Sequence, residues 1–130
     1  EFGWRGYLLP RLLPLGQAKA LFISGVIWGL WHVPFIVFLG MHYSDQRIFG
    51  ALMFTILVML LGIYVGYLRL ISGSVFLAAF SHGVFNAQFY GVWQVIFPNL
   101  NPLLGGMTGL IGIFAFLIVA IWILKKQTLS

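Results

Sequence analysis

Ser81-His82-Gly83-Val84-Phe85-Asn86 sets a histidine and an amide four residues apart inside an apolar run, 75–97. On a helix those two side chains share one face. Two earlier stretches carry matching polar residues: Trp28-Gly-Leu-Trp-His32, on another apolar run, and Glu1-Phe-Gly-Trp-Arg5. A carboxylate, two imidazoles and an amide form a coherent hydrolytic set. A carboxylate with a neutral histidine can hold and deprotonate water. A second histidine and an Asn can donate hydrogen bonds to the oxyanion that forms on a peptide carbonyl. The same histidines and carboxylate could hold Zn²⁺, which takes three protein ligands and an open water position. The sequence has no HExxH, so nothing in it requires that metal.

Each residue also has a plainer reading. Glu1 and Arg5 have the spacing of a helix-surface ion pair, worth roughly 0.2–0.5 kcal/mol. His32, His82 and Asn86 could be interhelical hydrogen-bonding groups, although ionisable residues within a bilayer are costly unless paired or used. His42 and Asp45 fall in a polar loop and read as solvated. Trp28, Trp31 and Trp93 read as packing or interface residues.

The elements that must position these residues are membrane helices. Of the 130 residues, 62% are hydrophobic and 7% charged, and mean hydropathy is +1.05. A soluble domain carries roughly 25% charged residues, so this chain could not cover a water-facing surface. It has no cysteine, which excludes disulfides and Cys-based zinc or nucleophile sites. The net charge of +5 does not indicate nucleic acid, because the basic residues flank apolar runs. No basic segment precedes the first apolar residues, so no cleavable signal is expected.

The expected elements are a motif helix over 1–13, stopped by Pro10 and Pro14, and four spans over 18–39, 48–70, 75–97 and 107–124. Gly25/Gly29 and Gly62/Gly66 repeat a small-residue spacing that lets helices approach closely. Ser72 or Ser74 can cap the third span, and Tyr64 and Tyr67 read as interface residues. If each run crosses once, Arg5, Arg11, Lys19, Arg69, Lys125 and Lys126 share one side and Arg47 faces them alone. The excess marks the cytoplasmic side, which also receives the C-terminus.

The motifs resemble those of the CPBP family of intramembrane proteases, which includes CAAX proteases and bacteriocin-processing or bacteriocin-immunity proteins (the ABI domain). The family signature is EExxxR on one helix, [F/W]xxxH on the next, and HxxxN further on. Glu1-Phe-Gly-Trp-Arg5, Trp28-Gly-Leu-Trp-His32 and His82-Gly-Val-Phe-Asn86 match it in order. The resemblance implies that His32 helps hold the water, that His82 and Asn86 are oxyanion donors, and that Arg5 orients the glutamates. Arg5 lies four residues after Glu1, so Glu1 matches the second Glu of the pair. The first, the general base, would precede it, and the catalytic set as written is incomplete.

The expectation is an all-α, polytopic transmembrane bundle of about four full spans plus an N-terminal motif helix. It is one membrane-embedded core over 1–130, truncated at its N-terminus. The expected function is a glutamic-type intramembrane endopeptidase using Glu1, Arg5, His32, His82 and Asn86, with no cofactor. Its partners would be the bilayer and a peptide or protein substrate, lipidated or not, in a prokaryotic cytoplasmic membrane. Two other readings stand: a non-catalytic bacteriocin self-immunity or scaffold protein of the same fold, and a small transporter.

Overall fold

A computed structural model describes residues 1–128. The chain opens with a wide π-helical turn, Phe2–Leu8, which tightens into α1, Leu9–Leu12, and a 3₁₀ turn, Leu13–Leu15. Gly16, at φ +94°, breaks the run. Then follow α2, Gln17–Leu39, and α3, Arg47–Ser72. Next come α4, Val75–Ala87, a second π turn, Gln88–Val92, and α5, Trp93–Ile96. A loop leads to α6, Leu110–Thr128. No strand occurs among the described residues.

Among the described residues three helices are long and apolar enough to cross a membrane: α2, α3 and α6. This corrects the expected four full spans. The run 75–97 is apolar throughout, but it is split between α4, the π turn and α5. Helical dihedrals continue through both junctions, at Gln88 (φ −66°, ψ −47°) and Trp93 (φ −66°, ψ −36°). The hydrogen-bond register changes inside the run, and hydropathy does not record register. The split run still carries the chain to the end where α2 finishes, because residues 42–46 and 99–103 line one cavity there.

α3 is the central element. Of its most apolar stretch 61% is buried, against 33% for α2 and 17% for α6. A core around Trp28, Phe54, Val58 and Leu61 lies beside the polar motifs. A second core, with Leu9, Leu21, Ile63 and Ile123, joins α1, α2, α3 and α6. Tyr67, read from the sequence as an interface residue, is buried in that second core. The large exposed side chains of α6, such as Ile111, Phe114 and Trp122, fit lipid rather than water.

The glycine pairs set the closeness of α2 and α3. A Cβ on Gly25 would lie 2.6 Å from the Met59 carbonyl oxygen, and one on Gly29 would lie 2.7 Å from that of Thr55. A Cβ on Gly62 would come within 2.9 Å of Gly25 Cα. The obstacles are backbone atoms, which cannot rotate away. Gly25→Ala must therefore push the two helices apart, at a cost of about 1–3 kcal/mol. Thermal unfolding in detergent should show a lower midpoint for Gly25→Ala and no change for Gly83→Ala, where nothing lies within 4 Å.

The connections are closed locally. Gly40, at φ +71°, ends α2 and donates its N–H to Ile36 O at 2.9 Å. The Arg47 guanidinium folds back and donates to Phe38 O at 3.1 Å. Ser74, the capping serine of the two candidates, accepts from Leu77 N–H at 3.3 Å. Tyr43 is 2% exposed and donates its hydroxyl to Thr108 O at 2.8 Å, tying the two loops together. Burial pushes its phenol up to about 12, so it stays a neutral donor at ordinary pH. Tyr43→Phe strands that carbonyl and should cost about 1–3 kcal/mol in the same unfolding measurement.

Candidate active site

The first π turn fixes the carboxylate. Arg5 N–H and Gly6 N–H both donate to Glu1 O, at 2.8 and 3.1 Å, which widens the helix at its start. The guanidinium of Arg5 then reaches both carboxylate oxygens of Glu1: Nη1 lies 3.2 Å from Oε1 and 3.1 Å from Oε2. Its Nη2 donates to Gly62 O at 3.2 Å. Arg5 is 1% exposed and its Nε has no hydrogen-bond partner. The face of Trp28, 4.3 Å from Cζ, supplies a cation–π contact in compensation. A surface ion pair, the plainer reading of Glu1 and Arg5, is thus corrected to a buried one bolted to α3.

His82 completes that cluster from α4. Its Nδ1 lies 2.8 Å from Glu1 Oε1. A carboxylate only accepts, so Nδ1 carries a proton and Nε2 is the nitrogen left for other partners. The edge-on Trp28 ring, 4.9 Å away, packs the imidazole. His32, one turn after Trp28 on α2, has its Nδ1 2.8 Å from Trp28 O. A carbonyl also only accepts, so His32 carries its proton on Nδ1, and its neutral form offers the Nε2 lone pair. Trp31 at 4.9 Å and Phe54 at 5.3 Å hold the His32 ring edge-on. Trp28 and Trp31 therefore pack the site itself, whereas Trp93 lies outside this cavity and is part-exposed.

These side chains share a cavity of about 430 Å³, lined by Glu1, His32, His82 and Asn86 within a mostly aromatic wall. Asn86 stands one turn beyond His82, where α4 meets the second π turn. The structure therefore gathers four of the five predicted residues around one space, with Arg5 bracing Glu1 from behind. It also adds one that sequence reasoning placed in solvent. His42 lines the same cavity, stacked on Phe54 at 5.1 Å with an interplanar angle of 24°. Its Nε2 is 3.3 Å from the Tyr90 hydroxyl. Burial, then the nearby His32, holds its imidazole below the usual histidine range. The only sequence signal was a histidine ten residues after His32, just past a helix-ending Gly40. Asp45, in the same loop, is exposed as expected.

Among the described residues, no three His, Asp or Glu side chains gather closely enough to hold one metal ion. The polar groups are distributed around the cavity instead, with Glu1, His32, His82 and His42 each held by a partner of its own.

The profile of the family described as "Type II CAAX prenyl endopeptidase Rce1-like" matches residues 1–88, which contain all three motifs. Over 92 residues the chain is 32% identical to the CAAX prenyl protease 2 of Methanococcus maripaludis. That alignment covers 66% of this chain and 34% of the relative, so the chain spans about a third of that protein's length. No solved structure matches it. With the three motifs drawn to one cavity and the profile covering that region, the chain belongs to the Rce1-like family of type II CAAX prenyl endopeptidases.

Proposed function

We propose that this chain is the catalytic core of an intramembrane endopeptidase that hydrolyses a peptide bond by a carboxylate- and histidine-assisted attack of water. The observation that carries this reading is a pair of imidazoles around one cavity, each with Nδ1 2.8 Å from an acceptor. His32 is held with Nδ1–H on a carbonyl, and His82 with Nδ1–H on a carboxylate.

In this mechanism a water sits against His32 Nε2, which accepts its proton as the oxygen attacks the carbonyl carbon. The developing oxyanion is met by His82 and Asn86. In that role His82 Nε2 carries a proton, and Glu1, already paired with Nδ1, balances the charge. Arg5 and His82 both hydrogen-bond Glu1 Oε1, and Arg5 Nη1 lies at ion-pair distance, 3.1 Å, from Oε2. That supports an orienting role for Glu1, the one the resemblance gives to the second glutamate. Proton donation from the His32 imidazolium so formed to the leaving amine completes the hydrolysis. No step requires a cofactor, and none is routed through a metal.

The substrate is a peptide or protein segment reaching a cavity within the bilayer, lipidated or not. Burial of Arg5 removes it from the loop-charge tally. Arg11, Lys19, Arg69, Lys125 and Lys126 still oppose Arg47 alone, so we place the C-terminus in the cytoplasm, in a prokaryotic membrane.

The test is cleavage by the full-length protein in proteoliposomes. Asn86→Ala removes one oxyanion donor and should lower kcat by about 10²–10³-fold. His32→Ala should stop turnover while unfolding behaviour stays native. Undiminished cleavage in both variants would sink the roles assigned here. Retained biological function without any cleavage would favour the immunity or scaffold reading, which uses the same fold without the chemistry.

A further inference from the structure

We propose that His42 and Tyr90 form the polar mouth of the catalytic cavity, the place where water enters and where the substrate backbone is held on its way in. The inference deepens the hydrolytic reading and rests on it.

The geometry at His42 carries it. Three cavities adjoin at this residue. One is the catalytic cavity. The second, of about 110 Å³, lies against the Phe89–Phe97 stretch and the loop over 98–108. The third, of about 420 Å³, lies between the loop over 43–46 and residues 99–103. Among the described residues His42 alone lines all three. The last of these cavities has more polar than apolar lining, with Ser44, Asp45, Gln46, Asn99 and Asn101. The catalytic cavity is the reverse, mostly aromatic. His42 thus stands where a wet vestibule meets a dry chamber.

Its backbone points the same way. His42 is the one non-glycine residue at positive φ among the described residues, at 68°. That conformation is uncommon outside glycine and clusters at functional positions. Here it turns the imidazole inward from an otherwise polar loop, onto Phe54 and against Phe89 at 4.8 Å. The Tyr90 side, from the second π turn, is 61% exposed, so the His42–Tyr90 hydrogen bond lies at the opening. A neutral imidazole and a phenol offer one another a weak bond of 3.3 Å. Both can exchange it for water or for a peptide N–H and C=O, the groups that an extended substrate backbone presents. A hydrolase with an aromatic chamber needs such a polar step, because its water and its peptide must cross from solvent to the dry site.

The absence of cysteine from the chain permits a test that does not depend on cleavage. In the full-length protein in detergent, with any other cysteine replaced, Asn86→Cys reports access to the chamber and Ser44→Cys reports access to the vestibule. The probe is a small, water-soluble, cationic methanethiosulfonate reagent. His42→Trp, which plugs the mouth, should slow modification of Asn86→Cys at least tenfold. His42→Ala, which widens it, should accelerate the same reaction. Ser44→Cys should react at one rate in all backgrounds. Equal rates at Asn86→Cys across native His42, Trp and Ala would overturn the proposal and place the entrance elsewhere along the cavity wall. A kinetic arm separates holding from mere opening. Tyr90→Phe removes one neutral hydrogen-bonding group and should raise KM about three- to tenfold with kcat unchanged. A fall in kcat at constant KM would assign Tyr90 to the chemistry instead. Loss of the labelling pattern with cleavage intact counts against the mouth alone, whereas cleavage that survives His32→Ala counts against the hydrolytic reading alone.

Discussion

His82→Ala should abolish peptide cleavage, with a loss in kcat of about 10³-fold or more. The side chain has two partners at once. Its Nδ1 is tied to Glu1 Oε1 at 2.8 Å, and its ring closes the cavity beside Asn86. Removing it deletes an oxyanion donor, worth about 10²–10³-fold by itself. It also releases one arm of the Glu1 carboxylate, so the group that balances charge beside the oxyanion site loses its fixed orientation. The two effects act on one transition state and are not independent, so the His82→Ala, Asn86→Ala double variant should be little worse than His82→Ala alone. His82→Gln keeps a donor but no proton-carrying ring and should recover only part of the rate. Single-turnover cleavage in proteoliposomes measures all three variants. Because His82 is 27% exposed on its side chain, the variant should unfold near the native temperature. Cleavage by His82→Ala at the native rate would remove the residue from the mechanism.

Arg5→Met should be the most destabilising single change. Arg5 is 1% exposed, and the Glu1 side chain beside it is 3% exposed. Breaking a buried pair by removing one partner costs about 3–5 kcal/mol, because the other charge stays behind in a low-dielectric site. The lost Gly62 O contact and the Trp28 stacking add to this. His82 remains as a second partner for Glu1, which places the expected loss toward the lower end of that range. Glu1→Gln in the Arg5→Met background removes the stranded charge, and the double variant should regain part of the stability. Arg5→Lys should not rescue it, since a single ammonium cannot span Glu1 and Gly62 O while lying flat on an indole. Denaturant unfolding in detergent gives all three values. Equal stability of Arg5→Met and the native chain would mean the pair is solvated after all.

Much of this was legible without coordinates. Low charge and high apolarity forced a helical membrane protein, since in lipid every backbone group must be satisfied within the segment. The i, i+4 spacing of His82 and Asn86, and of Glu1 and Arg5, put each pair on one helix face, because helical geometry is local. The glycine spacings foretold the tight α2–α3 contact for the same reason, and the motifs pointed to the family that the profile match shows.

What the sequence left open is what depends on neighbours distant in the chain. The burial of Arg5 follows from Gly62, 57 residues away, and from the Trp28 face. The Nδ1 proton of His82 follows from Glu1, 81 residues away. The split of the apolar run over 75–97 is a change of hydrogen-bond register, which leaves composition untouched. His42 is the clearest case. By type and position it is a loop histidine, and only the packing of Phe54, Phe89 and Tyr90 around it turns it into a wall of the cavity. Local sequence determines which residues share a helix face. Which faces meet, which charges lose their water and which histidine proton is fixed are decided by tertiary contacts.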